Sequence, residues 1–225
     1  LPRLPTAFAA LALAFAADSA AAEEGNRNAW SGDRTARLEA LALLQTLNAD
    51  LLSHDSATLT LDRWCAAHRL ADPPRIVAER VKGADKPATD EQRRLLGVGP
   101  DEPVAYRRVR LACGGHVLSE ADNWYVPARL TPDMNHTLQT SDTAFGRVVQ
   151  PLRFQRRTLS ADLLWSPLPQ GWEMGAPPPA EPALAVPHAV LQHRAVLVLP
   201  DGTPFSTLVE TYTGAVLDFP EPARR

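Results

Sequence analysis

Two charges sit where strand alternation places apolar residues, and these are the side chains best positioned to do chemistry. In Tyr106-Arg107-Arg108-Val109-Arg110-Leu111, Arg107 shares a face with Val109 and Leu111, whereas Arg108 and Arg110 share the other with Tyr106. In Ser206–Tyr212 (STLVETY), Glu210 shares a face with Leu208 and Tyr212. A guanidinium turned into an apolar layer without a partner is costly. Two arrangements relieve that cost: a buried Arg107–Glu210 ion pair, or a pocket in which Arg107 holds an anion and Glu210 handles a proton. A second acidic pair, Glu120 and Asp122, falls on one face with Leu118 and Trp124. Solvent, or Arg153, Arg156 and Arg157, are its expected partners.

Other chemistries find no support. The patterns G-x-S-x-G, H-E-x-x-H, C-x-x-C and the phosphate-binding P-loop are absent. His54-Asp55-Ser56 has the letters of a hydrolase triad, but consecutive side chains diverge and cannot form a nucleophile–base–orienter chain. It reads instead as a helix entrance capped by Asp55 or Ser56. The six histidines are scattered without metal-ligand spacing, and Gly97-Val98-Gly99-Pro100 reads as a turn. Neither a metal nor an organic cofactor is expected. With 23 Lys+Arg against 26 Asp+Glu the formal net charge is -3, which speaks against a nucleic-acid partner.

The elements that must carry Arg107 and Glu210 follow from periodicity. Asp33 is a plausible N-cap for a helix with a stripe of Leu38, Leu41, Leu44, Leu47 and Leu51, and a second helix runs from about Ser56 to Leu70. Pro73-Pro74 ends it; Arg75–Lys82 reads as a strand and Thr89–Leu96 as a short helix opened by a Thr89…Gln92 capping box. From Pro103 the period becomes two. Val104–Ala112 and Val117–Val126 are strands joined at Gly114-Gly115, and Ala189–Leu199 and Pro204–Thr213 are strands joined at Asp201-Gly202. Between these pairs, Thr131-Pro132 opens a short helix, Phe145–Val149 adds a turn, and Leu152–Leu159 reads as a strand. Residues 161–187 carry seven prolines and can be neither a continuous helix nor a central strand. They form either a decorated loop or a lid with Trp165 and Trp172 over the pocket.

The expected fold class is α+β, with a single antiparallel sheet of about six strands, N-terminal helices, and one domain over 33–219. Leu1–Ala22 reads as a signal peptide with cleavage after Ala22, the alternatives being a retained helix or translated upstream sequence that is not part of the protein. Beyond it no run approaches the roughly 20 apolar residues of a membrane span, so a processed periplasmic protein without stable membrane insertion is expected. In that compartment Cys65 and Cys113 either pair or remain buried thiols.

The same residues carry a resemblance. Tyr106–Gly115 (YRRVRLACGG) followed by Trp124-Tyr125-Val126-Pro127 resembles the hairpin of bacterial chorismate lyases. Asp142–Arg147 (DTAFGR) is similar to their T-P-L-G-R turn, Phe205–Tyr212 (FSTLVETY) to their last strand, and Asp55-Ser56-Ala57-Thr58 to a D-S-M-T segment. The chain departs from the family at Ala57, at Asp122-Asn123, at Phe145, and in the Pro-rich insertion. The resemblance implies an antiparallel sheet enclosing a ligand beneath helical flaps, a fold shared with effector-binding domains of some transcription regulators. It implies cleavage of chorismate to 4-hydroxybenzoate and pyruvate without a cofactor, Arg107 and Glu210 being catalytic. Arg107, Ala57, Asn123 and Phe145 would contact the ligand. The alternative function is a non-catalytic periplasmic module binding a small carboxylate-bearing aromatic or cyclic ligand. In either case a monomer is expected.

Overall fold

In the computed structural model, which describes residues 30–83 and 85–220, the chain opens with helix α1 (Arg34–Leu52). The expected leader, 1–22, lies outside the described residues. Asp33 caps α1, its carboxylate accepting the Ala36 N–H at 2.9 Å. The buried stripe is Ala36, Ala40, Leu44, Leu47 and Leu51 rather than one beginning at Leu38 and Leu41. Ser56, not Asp55, caps α2 (Ala57–Ala67), accepting the Leu59 N–H. The Asp55 carboxylate instead accepts the backbone N–H of Arg156 at 2.8 Å.

Strand β1 (Ile76–Arg80) is shorter than its expected span. Helix α3 (Asp90–Leu96) has the Thr89–Gln92 capping box and ends at Gly97, whose φ of 63° is a conformation glycine adopts without a Cβ penalty. The hairpin β2 (Ala105–Cys113) and β3 (His116–Tyr125) follows, then α4 (Pro132–Thr140) with Thr131 as cap and Pro132 in its first turn, and the short α5 (Phe145–Val148). Strand β4 (Gln155–Leu163) starts and ends later than the sequence suggests, and β5 (Ala189–Val198) and β6 (Pro204–Thr213) close the fold.

All six strands form one antiparallel sheet in the order β1-β2-β3-β6-β5-β4. The fold is therefore α+β around an open sheet. The two hairpins meet at β3 and β6, where Ala121 pairs with Glu210 and Asn123 with Leu208, while Arg107 pairs with Asn123 across β2–β3. Direct cross-strand partners share a face, so Arg107, Asn123, Leu208 and Glu210 all look toward the helices.

Two apolar clusters pack on the sheet. One gathers the α1 stripe, Leu61, Trp64, Val109, Leu111, Ala121 and Tyr212; the other gathers Tyr125, Leu138, Phe145, Phe154, Leu197, Phe205 and Leu208. The Pro-rich insertion forms no lid. Its Pro167 carbonyl and Glu181 carboxylate bind the Arg37 guanidinium, and the Leu184 N–H bonds the Trp30 carbonyl, so it straps the start of α1. Neither Trp165 nor Trp172 lines the cavity described below. Among the described residues no helix is long and apolar enough to cross a membrane.

Cys65 on α2 and Cys113 at the end of β2 form a disulfide across 48 residues of sequence. Closing a loop of that length limits the unfolded chain and is worth roughly 4 kcal/mol in the chain-entropy model. The oxidised protein should show no titratable thiol when denatured without reductant. Cys65→Ala/Cys113→Ala should lower the unfolding free energy, measured by guanidinium denaturation, by about that amount.

Candidate functional site: a buried cavity with two arginines and one glutamate

Ala57, Arg107, Asn123, Phe145 and Glu210, the five positions singled out from the sequence, all line one cavity of about 40 Å³. Val109, Leu111, Ala121 and Leu208 supply its apolar floor, and the cavity lies where the two apolar clusters meet. Its roof is the start of α2 (Ser56, Ala57, Thr58) and the start of α5 (Phe145, Gly146), with Phe154 and Arg156 closing the β4 side. The two roof helices touch at Gly146, where a Cβ would stand 2.8 Å from the Ser56 hydroxyl and 3.2 Å from that of Thr58. Only glycine permits that approach.

Arg107 is 3% exposed, yet no carboxylate pairs with it among the described residues. Its guanidinium donates to three backbone carbonyls, those of Leu138 at 3.2 Å, Ser141 at 3.3 Å and Thr143 at 2.9 Å. Two of these belong to the end of α4 and its cap, where helix carbonyls carry partial negative charge. The Nε–H is buried and bonds nothing. Burial and nearby Arg80 draw the Arg107 pKa down, opposed by Tyr125 and Asp142. An arginine nonetheless stays charged, so this is a cation whose hydrogen bonds all go to backbone dipoles, with Asp142 acting on it only from beyond hydrogen-bonding reach.

Glu210 does not pair with Arg107, which removes the simple ion-pair arrangement that alternation allowed. Its partner is Arg156 on β4, whose Nη2 lies 2.7 Å from Oε2, both side chains being almost fully buried. The same oxygen accepts the Tyr212 hydroxyl at 3.1 Å. Burial would lower the Arg156 pKa, but Glu210 and Tyr212 outweigh it and hold it above its ordinary value. The Tyr212 phenol is pushed well above its ordinary value by its own burial and then by Glu210, so it remains a donor. Among the described residues Glu210 Oε1 has no hydrogen-bond partner, and Glu210 stands on the cavity wall.

Asn123, on the cavity wall, accepts the Ser206 hydroxyl on Oδ1 at 2.6 Å, and among the described residues its amide N–H groups have no acceptor. Arg156 is the site residue that sequence reasoning placed elsewhere, as a partner for Glu120 or Asp122. Glu120 is instead met by Arg108 and Arg110, and Asp122 by Lys86 and the Tyr106 hydroxyl, all on the opposite face. A signal existed: adjacent Arg156 and Arg157 in one strand must point to opposite faces, so one of them turns inward.

Behind the pair, His193 is fully buried on β5 opposite Glu210, its Nε2–H donating to Asn48 Oδ1 at 2.8 Å and its Nδ1 unbonded. Burial first, then Arg156, lowers its pKa to about 4, against the pull of Glu210 and Asp162. No group of three or more His, Cys, Asp or Glu side chains among the described residues is placed to hold a metal ion.

Two outcomes follow from this network. Arg156→Met strands a buried carboxylate and should cost about 3–5 kcal/mol in urea denaturation, whereas Arg156→Met/Glu210→Gln, which leaves no buried charge there, should recover at least half of the loss. His193 is kept neutral in the fold but takes a proton near pH 6.5 when unfolded. Its stabilising share is complete above that pH and is lost as pH falls toward about 4. That share is on the order of 3 kcal/mol, and His193→Gln should flatten the stability–pH curve over this interval.

No family model matches the chain. The uncharacterized protein y4mC of Sinorhizobium fredii (strain NBRC 101917 / NGR234) is 62% identical over 196 residues, covering 86% of this chain and 83% of that protein. Solved structures align at much lower identity. PhnF from Mycobacterium smegmatis is 17% identical, over 77% of this chain and 70% of that one, with a TM-score of 0.49. The effector domain of PhnF is 16% identical, over 67% and 90%, with a TM-score of 0.45. The possible transcriptional regulator YydK from Bacillus subtilis is 15% identical with a TM-score of 0.39; 66% of this chain aligns, spanning 62% of YydK's length. With 62% identity across most of both sequences, the chain belongs to the same protein family as y4mC of Sinorhizobium fredii.

Proposed function

We propose that the cavity is the binding site for one small organic acid, in a chorismate-lyase-like domain spanning 33–219. The observation that carries this reading is Arg107: a buried guanidinium on the cavity wall, with an unbonded Nε–H and, among the described residues, no paired carboxylate. A ligand carboxylate would take that hydrogen bond and neutralise the charge. The apolar floor of Val109, Leu111, Ala121 and Leu208, with Phe145 and Phe154 above, suits a ring. Asn123 and Glu210 Oε1 offer polar contacts to the ring's substituents. A 40 Å³ space holds a few waters rather than a ring, so in this reading the start of α2 and Phe154 move outward on binding.

A second reading, catalysis, is favoured by one observation, the unbonded Oε1 of Glu210 within the same cavity. If chorismate is the substrate, the ether C–O bond breaks and its electrons leave with the enolpyruvyl oxygen. A ring proton is lost as the ring becomes aromatic, and the released enolpyruvate takes a proton to become pyruvate. Glu210 would handle that proton traffic while Arg156 and Tyr212 keep its orientation. We further place the protein in an oxidising compartment, a reading supported by the Cys65–Cys113 disulfide and consistent with the expected leader.

The test is calorimetry with 4-hydroxybenzoate beside an assay of its formation from chorismate. Arg107→Ala should weaken 4-hydroxybenzoate binding about 100-fold, the loss of a buried charged hydrogen-bond partner. If catalysis operates, Glu210→Gln should abolish turnover while largely retaining product affinity. Binding without turnover leaves the module reading alone; absence of binding in the unaltered protein, to this acid and to related ring acids, defeats both.

A further inference from the structure

With Ser56 capping α2, the carboxylate of Asp55 is not needed by the helix. It reaches across 101 residues of sequence to accept the Arg156 N–H of β4 at 2.8 Å. Arg156 is also the residue whose guanidinium holds Glu210, so this contact closes directly on the ion pair of the site. Asp55, Ser56 and Phe154 line the cavity on one side and an open surface depression of about 260 Å³ on the other. Here the wall between cavity and solvent is one residue thick.

The start of α2 is fastened unequally on its two sides. Toward α5 it approaches Gly146 so closely that a Cβ there would stand 2.8 Å from the Ser56 hydroxyl. Toward β4, among the described residues, a single hydrogen bond joins 53–58 to the strand, the one between Asp55 and the Arg156 N–H. Leu52, Ser53, His54 and Asp55 are exposed, so this stretch can shift outward without bringing buried side chains into water. Facing it, Phe154 rests edge-on against Phe205 at 6.0 Å. It follows Arg153, whose φ of 51° is a left-handed conformation that a residue with a Cβ adopts at a cost.

We infer that this thin wall is the entrance to the cavity and that Asp55 is its latch. The carboxylate-to-backbone hydrogen bond holds the start of α2 down on β4 and must break before a molecule passes from the depression to the cavity. This inference rests on the reading that the cavity takes a ligand, and adds to it the route and the residue that controls passage. Asp55 then sets how often the cavity opens, and so the rates of association and dissociation, rather than which acid is bound.

The test needs no ligand. Ala121→Cys places a thiol on the cavity floor of the full chain, whose own two cysteines are joined to each other. Methyl methanethiosulfonate is small and uncharged, so its approach does not depend on the charge at position 55, and mass spectrometry follows its addition. Introduced into that protein, Asp55→Ala should speed labelling about five- to tenfold, since the closed state then lacks its hydrogen bond. Asp55→Asn keeps an oxygen acceptor for the Arg156 N–H and should label more slowly than Asp55→Ala; equal rates in the two overturn the latch. Thr89→Ala removes the cap of α3 on the far face of the sheet, where Glu91 meets Arg194, and should leave the rate unchanged. Acceleration by Thr89→Ala equal to that by Asp55→Ala means that the thiol is reached by general unfolding and overturns the inference. So does a rate in Asp55→Ala within about twofold of its parent, a change too small for a lost hydrogen bond. Neither failure touches the binding of 4-hydroxybenzoate by the unaltered protein. Failure of that protein to bind any ring acid, with the Asp55 dependence of labelling intact, defeats the proposed function and leaves the latch standing.

Discussion

A carboxylate at the centre of a sheet, covered by helices, would be expelled or neutralised were there no cation within hydrogen-bonding reach; Arg156, 2.7 Å from Glu210, is that cation. The pair does more than cancel charge. It joins β4, the edge strand, to β6, a central strand, across the intervening β5. Tyr212 adds a neutral donor to the same oxygen, so one face of the carboxylate is saturated by protein while the other is left for the cavity. Orientation of Glu210 is therefore set before any ligand arrives, which is the condition for an acid, base or hydrogen-bond acceptor to act without reorganising.

Arg107 is handled by the opposite device. Three carbonyl oxygens fix the plane of its guanidinium but bring no formal charge. Dipoles at the end of a helix can hold a cation in place without cancelling its field. The two solutions, a full counter-charge for Arg156 and partial charges for Arg107, leave the cavity electropositive on one side and balanced on the other. A monoanion entering it meets a direction as well as an attraction.

Much of the fold was legible because its signals are local. The Thr89 capping box, the Asp33 and Ser56 caps, and the Gly-containing turns at 114–115 and 201–202 each act within a few residues, and two-residue alternation turned Arg107 and Glu210 inward correctly. What alternation could not supply was which inward charges meet. That depends on strand order, and β6 lies between β3 and β5 because two hairpins join through their second strands, a long-range choice that local pattern does not encode. Arg156 was harder still. The inward positions at the start of β4 are Arg156 and Thr158, with no apolar residue to mark the face, and the ladder then slips between Thr158 and Ser160. The α1 stripe shifted for a related reason: Ala36 and Ala40 are too small to stand out beside Leu38 and Leu41, yet close packing selects them.

Helix α2 is fastened unevenly along its length. Its second half is tied by the Cys65–Cys113 disulfide, by the Trp64 indole N–H on the Val216 carbonyl, and by Asp62, which meets both the Arg147 guanidinium and the Ile76 N–H. Its first turn, which covers the cavity, is joined to the far side of the sheet by the Asp55 contact with β4. A rod pinned at one end pivots rather than lifts. Displacing this helix would therefore trace an arc about Cys65, opening a wedge that is widest over β4 and narrows to nothing at β2, so the floor beneath Arg107 keeps its shape while the doorway swings.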